Sequence, residues 1–221
     1  MSKYVKFLLQ AIALLSITLG VFSAQAMAKT NIQYEVINGD TLVISGNGET
    51  EETIEYGKEV KESKIKKLII KEGITTTQKL RLGLFSNLKE INLPNSLVEI
   101  ADCSFMSNRK LQKIIFGKKT KIIGTNAFSG CTSLTNIELP ETVEQIQDGA
   151  FSECSRLKRI VLPKNLKEIG IYALEHCPAL ETIVNNSKIP CYMPWYKKYV
   201  TWQVDGKKTK TIPAGKTGTS T

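Results

Sequence analysis

A β-rich solenoid of 23-residue coils is the fold this sequence predicts, on three observations. Leucines stand 23 residues apart at Leu88, Leu111, Leu134, Leu157 and Leu180, each followed three residues later by Ile91, Ile114, Ile137, Ile160 and Ile183. A second set keeps the same register, Ile100, Ile123, Ile146 and Ile169 and then Phe105, Phe128, Phe151 and Leu174. Cys131, Cys154 and Cys177 recur at the same interval.

Each part of the unit follows from its residues. With the leucine as position 1, positions 4 and 6 point to one side of an extended segment, because strand side chains alternate. Position 6 is Leu93, Phe116, Leu139 and Leu162, and Pro94, Pro140 and Pro163 after it remove a backbone donor and end the strand. Position 10 (Leu97, Val143, Leu166) and position 13 supply a second inward pair. Alanine and phenylalanine at positions 17 and 18 close the coil with one large apolar side chain. A single coil cannot bury these groups, whereas stacked coils cover one another at about 4.8 Å, the strand spacing. A fixed period in the twenties carrying L-x-x-I-x-L is the pattern of a leucine-rich-repeat solenoid.

Length and composition fit one such array with end caps, since 42% hydrophobic and 23% charged residues in 221 read as globular. Residues 1–28 are expected to be a signal peptide. Lys3 and Lys6 precede an apolar run from Phe7 to Phe22, and Ala24-Gln25-Ala26 and Ala26-Met27-Ala28 offer small-x-small cleavage sites. That run is shorter than the roughly 20 residues a membrane span needs. Loss of Lys3 and Lys6 lowers the formal charge from +9 to +7, so the product stays basic. The first cysteine is Cys103 and no second hydrophobic segment follows. The expected product has no membrane span and is secreted or periplasmic, with surface association open.

Residues 29–64 read as an N-terminal cap, with β-prone runs at Ile32–Ile37 and Thr41–Ser45 flanking the hairpin signal Asn38-Gly39-Asp40. Glu49 to Glu62, with six glutamates and two lysines, reads as a solvated connector. Residues 65–190 are the solenoid. Its first coil, Ile65 to Asn87, is degenerate, with Thr77 at an inward position and Phe85 only three residues before Leu88. Residues 191–221 are expected to form an aromatic cap and basic tail. Trp195 and Trp202 lie there with Tyr192, Tyr196 and Tyr199, a hairpin is expected about Asp205-Gly206, and Pro213 to Thr221 reads as frayed.

The segments Ala127–Cys131 (AFSGC) and Ala150–Cys154 (AFSEC), the L-x-x-I-x-L-P strands and Tyr34–Gly48 (YEVINGDTLVISGNG) resemble the BspA-like bacterial leucine-rich repeat. The resemblance covers about residues 32–184. It implies a right-handed, curved solenoid on a secreted or surface protein that serves adhesion or protein binding, with no catalytic residues to carry over. The chain departs from the pattern at Gly117, Thr120 and Leu174.

Catalytic and metal chemistry is hard to place. Cys131, Cys154 and Cys177 fall in one column with Cβ vectors parallel at strand spacing, beyond the roughly 3.5–4.5 Å a disulfide wants, so they read as small buried fillers. Phe105, Phe128, Phe151 and Leu174 form the companion ladder. Cys177 with Cys191 is the one pairing the chain path allows. No C-x-x-C occurs, and the sole histidine, His176, reads as a surface residue. No metal or cofactor is expected. Leu139-Pro140-Glu141-Thr142, Gly215-Lys216-Thr217 and Asn185-Asn186-Ser187 mimic a wall-sorting signal, a P-loop and a glycan acceptor, and each lacks its context.

What remains is surface. Positions 3 and 5 should face out of the strands. Position 3 reads Lys67, Glu90, Lys113, Asn136, Arg159, Thr182 and position 5 reads Ile69, Asn92, Ile115, Glu138, Val161, Val184. A cation beside an aliphatic recurs at Lys67/Ile69, Lys113/Ile115 and Arg159/Val161, which makes this face the candidate partner site against the alternative of a plain solvated sheet. Strand spacing puts the last two pairs about 10 Å apart. The leading reading is a non-catalytic module that binds a host or envelope protein. A second is an electrostatic binder of acidic glycans or envelope polymers through Lys118, Lys119, Lys121, Lys197, Lys198, Lys207, Lys208 and Lys210. A hydrolase ranks last, and nucleic acid is not an expected partner.

Overall fold

The structure, a computed structural model, describes residues 22–24, 32–48, 54–58, 60–78, 80–192, 202–204, 207–209, 211–212 and 215–220. Before the repeats lie β1 (Phe22–Ala24), β2 (Gln33–Ile37) and β3 (Thr41–Ser45). β2 and β3 pair antiparallel across Asn38 and Gly39, whose φ of 53° and 73° lie in the left-handed region that such residues tolerate. β3 then pairs in parallel with β4 (Lys67–Ile70), so the hairpin supplies the first rung of the stack.

Each later coil contributes a strand at positions 3–5 and a two-residue strand at positions 12–13. These are β5 (Glu90–Asn92) and β6 (Glu99–Ile100), β7 (Lys113–Ile115) and β8 (Ile122–Ile123), β9 (Asn136–Glu138) and β10 (Gln145–Ile146), and β11 (Arg159–Leu162) and β12 (Glu168–Ile169). β13 (Thr182–Asn185) is the last rung. Residues of like position face each other, as in Ile91↔Ile114, Ile160↔Ile183 and Ile146↔Ile169, so the sequence period is the strand register. The short strands form a continuous parallel sheet in the order β12-β10-β8-β6.

The turn side of each coil is stitched as well. Backbone N–H groups at positions 16, 18 and 20 donate to carbonyls at positions 15, 17 and 19 of the next coil, as in Asn126 to Asp148, Phe128 to Ala150 and Gly130 to Ser152. Position 20 takes a left-handed φ in Ser107, Gly130, Glu153 and His176, which turns the chain back toward the next strand. Inside, Phe105, Phe128 and Phe151 are fully buried, their rings nearly parallel with centroids 5.2 and 5.4 Å apart. Leu174 continues the column. Thr120, inward at position 10, is buried with its hydroxyl donating to the Leu97 carbonyl.

Three expectations are corrected and one open pairing is resolved. The acidic connector is not simply solvated, for Ile54 and Val60 are buried in it, and Tyr56 packs edge-on against both Tyr34 and Phe85. Those rings fill the space that the early Phe85 leaves, and burial raises the Tyr56 pKa. The tail is not frayed. Lys216–Ser220 forms β18, antiparallel to β13, because the last rung offers a free edge to the β-branched Thr217 and Thr219. Before it come β14 (Cys191–Tyr192), β15 (Trp202–Val204), β16 (Lys207–Thr209) and β17 (Thr211–Ile212), with β15 and β16 paired as a hairpin and β14 paired with β17. The pairing left open between Cys177 and Cys191 is not made, and both thiols are buried. Of residues 1–28 only Phe22–Ala24 is described, lying against β2, and the remainder of the expected signal peptide lies outside the described residues, as do Trp195, Tyr196, Tyr199 and Asp205-Gly206.

The third correction concerns the main sheet, which is not one ladder. β4, β5 and β7 belong to one six-stranded sheet with the N-terminal strands, while β9, β11 and β13 belong to another with β15, β16 and β18. The break falls between β7 and β9, although β8 and β10 of the same two coils remain paired. The coil that precedes the break also departs from the repeat at positions 6 and 7. A Cβ at Gly117 would stand 1.8 Å from the Pro94 carbonyl oxygen, so only glycine lets this coil settle so closely on the one before. The bulkier Phe116 replaces leucine at position 6 and packs edge-on against Phe128, with centroids 6.2 Å apart.

Candidate functional site

The exposed columns on the main sheet carry the chain's most regular surface chemistry. Alternation on β7 sets Lys113 and Ile115 outward, with Ile115 43% exposed. On β11 Arg159 is exposed and Val161 half-buried, and on β4 Lys67 and Ile69 are half-buried. Register places Lys67 beside Glu90 and Glu90 beside Lys113. Glu90 therefore serves both lysines, its Oε1 standing 3.2 Å from Lys67 Nζ and 3.6 Å from Lys113 Nζ. This shared carboxylate partly neutralises two of the three expected cations and holds them over the strands. Sequence reasoning missed its role, though the residue stands in the same column. Exposed pairs of this kind add little to stability, on the order of 0–1 kcal/mol, and their effect is to order the face.

Arg159 and Glu138 differ. Among the described residues neither takes part in an ion pair, and they sit diagonally across neighbouring strands, where Arg159 faces Asn136 and Glu138 faces Val161. A depression of about 280 Å³ opens beside them, lined by Ile114, Phe116, Leu134, Ile137, Asn136, Glu138, Arg159 and Val161. It occupies the break in the sheet. Apolar residues meant for the core form its floor and polar outward residues its rim.

The thiol ladder is structural. Each Sγ–H donates to the position-18 carbonyl of the preceding coil, Cys131 to Phe105, Cys154 to Phe128 and Cys177 to Phe151. Burial pushes Cys131 and Cys177 up to about 12 and raises Cys154 further, so none is a ready nucleophile. Asn108 holds the ladder position in the first full coil, fully buried and donating to the Leu82 carbonyl.

His176 is solvent-exposed with Nε2 3.6 Å from Glu175 Oε1, while Cys177 turns inward. Its backbone is left-handed rather than extended, and the side chains diverge all the same. A second depression, of about 370 Å³, brings Arg81, Asp102, Cys103 and Ser104 together in the first coils, far along the stack from that histidine. Among the described residues no three His, Cys, Asp or Glu side chains are placed to hold a metal ion, and no helix is long and apolar enough to cross a membrane. Asn185 of the apparent glycan acceptor is buried, its amide donating to the carbonyls of Ile189 and Ile212. Of the basic set, Lys121 pairs with Glu144 at 3.5 Å, Lys118 and Lys119 are exposed, Lys207 and Lys208 lie in β16, and Lys197, Lys198 and Lys210 fall outside the described residues.

Residues 83–191 match the BspA type leucine rich repeat region in six copies. The repeats of the solenoid are of the BspA type. Among solved structures, the chain is similar to a leucine-rich repeat protein from Bacteroides ovatus, with 25% identity and a TM-score of 0.55, over 65% of this chain and 36% of that one. It is similar in fold to a leucine-rich repeat protein from Eubacterium ventriosum, with 20% identity and a TM-score of 0.58, over 78% of this chain and 46% of that one. The chain thus spans less than half the length of either protein. No curated protein matches it.

Proposed function

We infer that this BspA-type solenoid is a non-catalytic protein-binding module, exported and displayed outside the cytoplasm, whose main sheet meets the partner. The observation that carries the reading is the ordered outward face, with Ile115 exposed on the same strand as Lys113 and beside the fixed row of Lys67, Glu90 and Lys113. An apolar contact framed by charges held in place is what a specific interface uses at its centre and rim. Solenoids bind through such extended faces because stacking leaves them uninterrupted by loops. Cohesion by the buried phenylalanine and cysteine columns leaves the outward columns free to vary with the partner. An adhesive role on a cell surface is the form this binding takes in our reading.

The competing reading, a binder of acidic polymers, rests on the net charge of +9 and on exposed Lys118 and Lys119. One experiment separates the two. The protein is tested against immobilised host and envelope proteins in physiological salt, with a heparin column alongside, as wild type, as Ile115→Ser/Val161→Ser, and with Lys118, Lys119, Lys207 and Lys208 changed to glutamine. Protein binding lost in the serine variant and kept in the glutamine variant supports the sheet-face reading. Binding that is lost only with the lysines and falls steeply with salt assigns the role to electrostatics, since charges are screened beyond about 8 Å at 0.15 M.

A further inference from the structure

The break between β7 and β9 leaves two strand edges facing each other with their ladder chemistry unused. Elsewhere in this sheet the position 2 carbonyl accepts from positions 2 and 3 of the next coil, as Lys89 does from Gln112 and Lys113, and Thr135 from Lys158 and Arg159. Among the described residues the Gln112 carbonyl receives no such bond from Thr135 or Asn136. The parallel register that would pair Ile114 with Ile137 is likewise absent. The second sheet and the stitched turn side remain joined through the same two coils. The coils are therefore parted on one face only, like a wedge held closed at its back.

We propose that this slot is a docking site for an extended peptide segment of a partner protein. Three features select that occupant. Backbone donors and acceptors in strand geometry are satisfied by another extended backbone, the basis of strand addition to a sheet edge. The floor of Ile114, Phe116, Leu134 and Ile137, at about 280 Å³, takes an apolar side chain. The rim carries one carboxylate and one guanidinium, Glu138 and Arg159, neither paired with another side chain among the described residues. A strand alternates its side chains, so a segment that buries one apolar residue presents its neighbours outward to these two charges. A globular surface or a flexible glycan would meet the rim and leave the backbone edges unpaired.

The slot is built by residues that break the repeat. Phe116 and Gly117 stand where the other three full coils have leucine and proline, and the close approach to Pro94 requires the glycine. This proposal rests on the protein-binding reading and gives it a ligand chemistry, an alternating apolar and polar strand with an acid or base on either flank.

The test uses the full chain and a blocked synthetic peptide, Thr-Val-Glu-Val-Lys-Val, read by amide hydrogen exchange. Without peptide, the amides of Phe116, Asn136 and Glu138 should exchange about tenfold or more faster than those of Ile160 and Ile183 in the intact half of the sheet. Adding the peptide should slow exchange at the slot, and the same peptide with its central valine replaced by proline should not. Gly117→Ala, which forces the chain off Pro94, should reduce the protection by peptide. Glu138→Gln with Arg159→Gln, which leaves the backbone path intact, should weaken it as well. Slow exchange at these amides without peptide overturns the proposal, as does protection that is absent, located at another strand edge, or equal for the proline peptide. Failure of the wider reading appears elsewhere, as undiminished partner binding by Ile115→Ser, since Ile115 does not line the slot.

Discussion

Phe128→Ala is the sharpest probe of the stack. Phe128 is fully buried, stacked on Phe105 at 5.2 Å and on Phe151 at 5.4 Å, and met edge-on by Phe116 at 6.2 Å. Truncating a buried phenylalanine costs about 3–5 kcal/mol through lost transfer and the cavity left behind. Each well-placed aromatic pair adds about 0.5–1.5 kcal/mol. Phe151 stacks on a single ring, since Leu174 follows it in the column. The alanine change at Phe128 should therefore exceed that at Phe151 by two aromatic pairs, those with Phe105 and Phe116, or about 1–3 kcal/mol. Phe151→Leu should cost far less than Phe151→Ala, because a leucine already serves at this position in the next coil. Urea unfolding followed by circular dichroism gives the comparison, with the slope of free energy against denaturant checked for constancy across the set. A loss below about 1 kcal/mol at Phe128 would mean that position 18 does not lie in the core, and the register would be wrong.

Three further outcomes are expected. Cys131, Cys154, Cys177 and Cys191, buried and with pKa values raised by desolvation, should resist iodoacetamide in the native protein at pH 8 while exposed Cys103 reacts; peptide mass spectrometry reads the order. Glu72 accepts from the Asn95 and Ser96 amides, which lower its pKa, so its contribution is present above the ordinary glutamate value and lost as pH falls through the folded one. Glu72→Gln should thus be less stable than wild type at pH 7, with the difference shrinking toward about pH 3; urea midpoints at the two pH values check this. Thr217→Pro should remove a ladder donor or strain β18 against β13 and speed amide exchange at Thr182 and Val184, whereas a frayed tail would leave both unchanged.

The repeat made most of the fold legible. Position 4 isoleucines other than half-buried Ile114, the phenylalanine column and the cysteine ladder fall inside because one period fixes which side chains share a face. The N-terminal hairpin was legible for a separate reason, since Asn38-Gly39 names its own turn. What the period concealed lies where the chain leaves it. Glu49 to Glu62 looked solvated because its glutamates outnumber Ile54, Tyr56 and Val60, yet these three side chains pack against the degenerate first coil. Lys216 to Ser220 carried no hydrophobic pattern, and its strand depends on the free edge of β13, which is a property of the whole stack. The split sheet falls beside Gly117, a visible departure from the repeat, but the missing pairing of β7 with β9 is a matter of coil spacing that no residue names.

The candidate face was legible in part. Alternation placed Lys113, Ile115 and Arg159 outward, but the hold of Glu90 on two lysines needs cross-strand register, and the pair at Arg159/Val161 proved to border a slot rather than continue an unbroken ladder. Those features share one physical origin, the spacing between neighbouring coils, which a single sequence repeat does not encode.

Site-specific photocrosslinking tests the central claim most directly. A benzoylphenylalanine replaces Ile115 on the main sheet or, as control, Ile122 on the second sheet, and the exported protein is irradiated in place on its own cells. The sheet-face account predicts discrete crosslinks to protein from position 115 that are missing from position 122. Crosslinks of equal yield from both positions, or from position 122 alone, would contradict it.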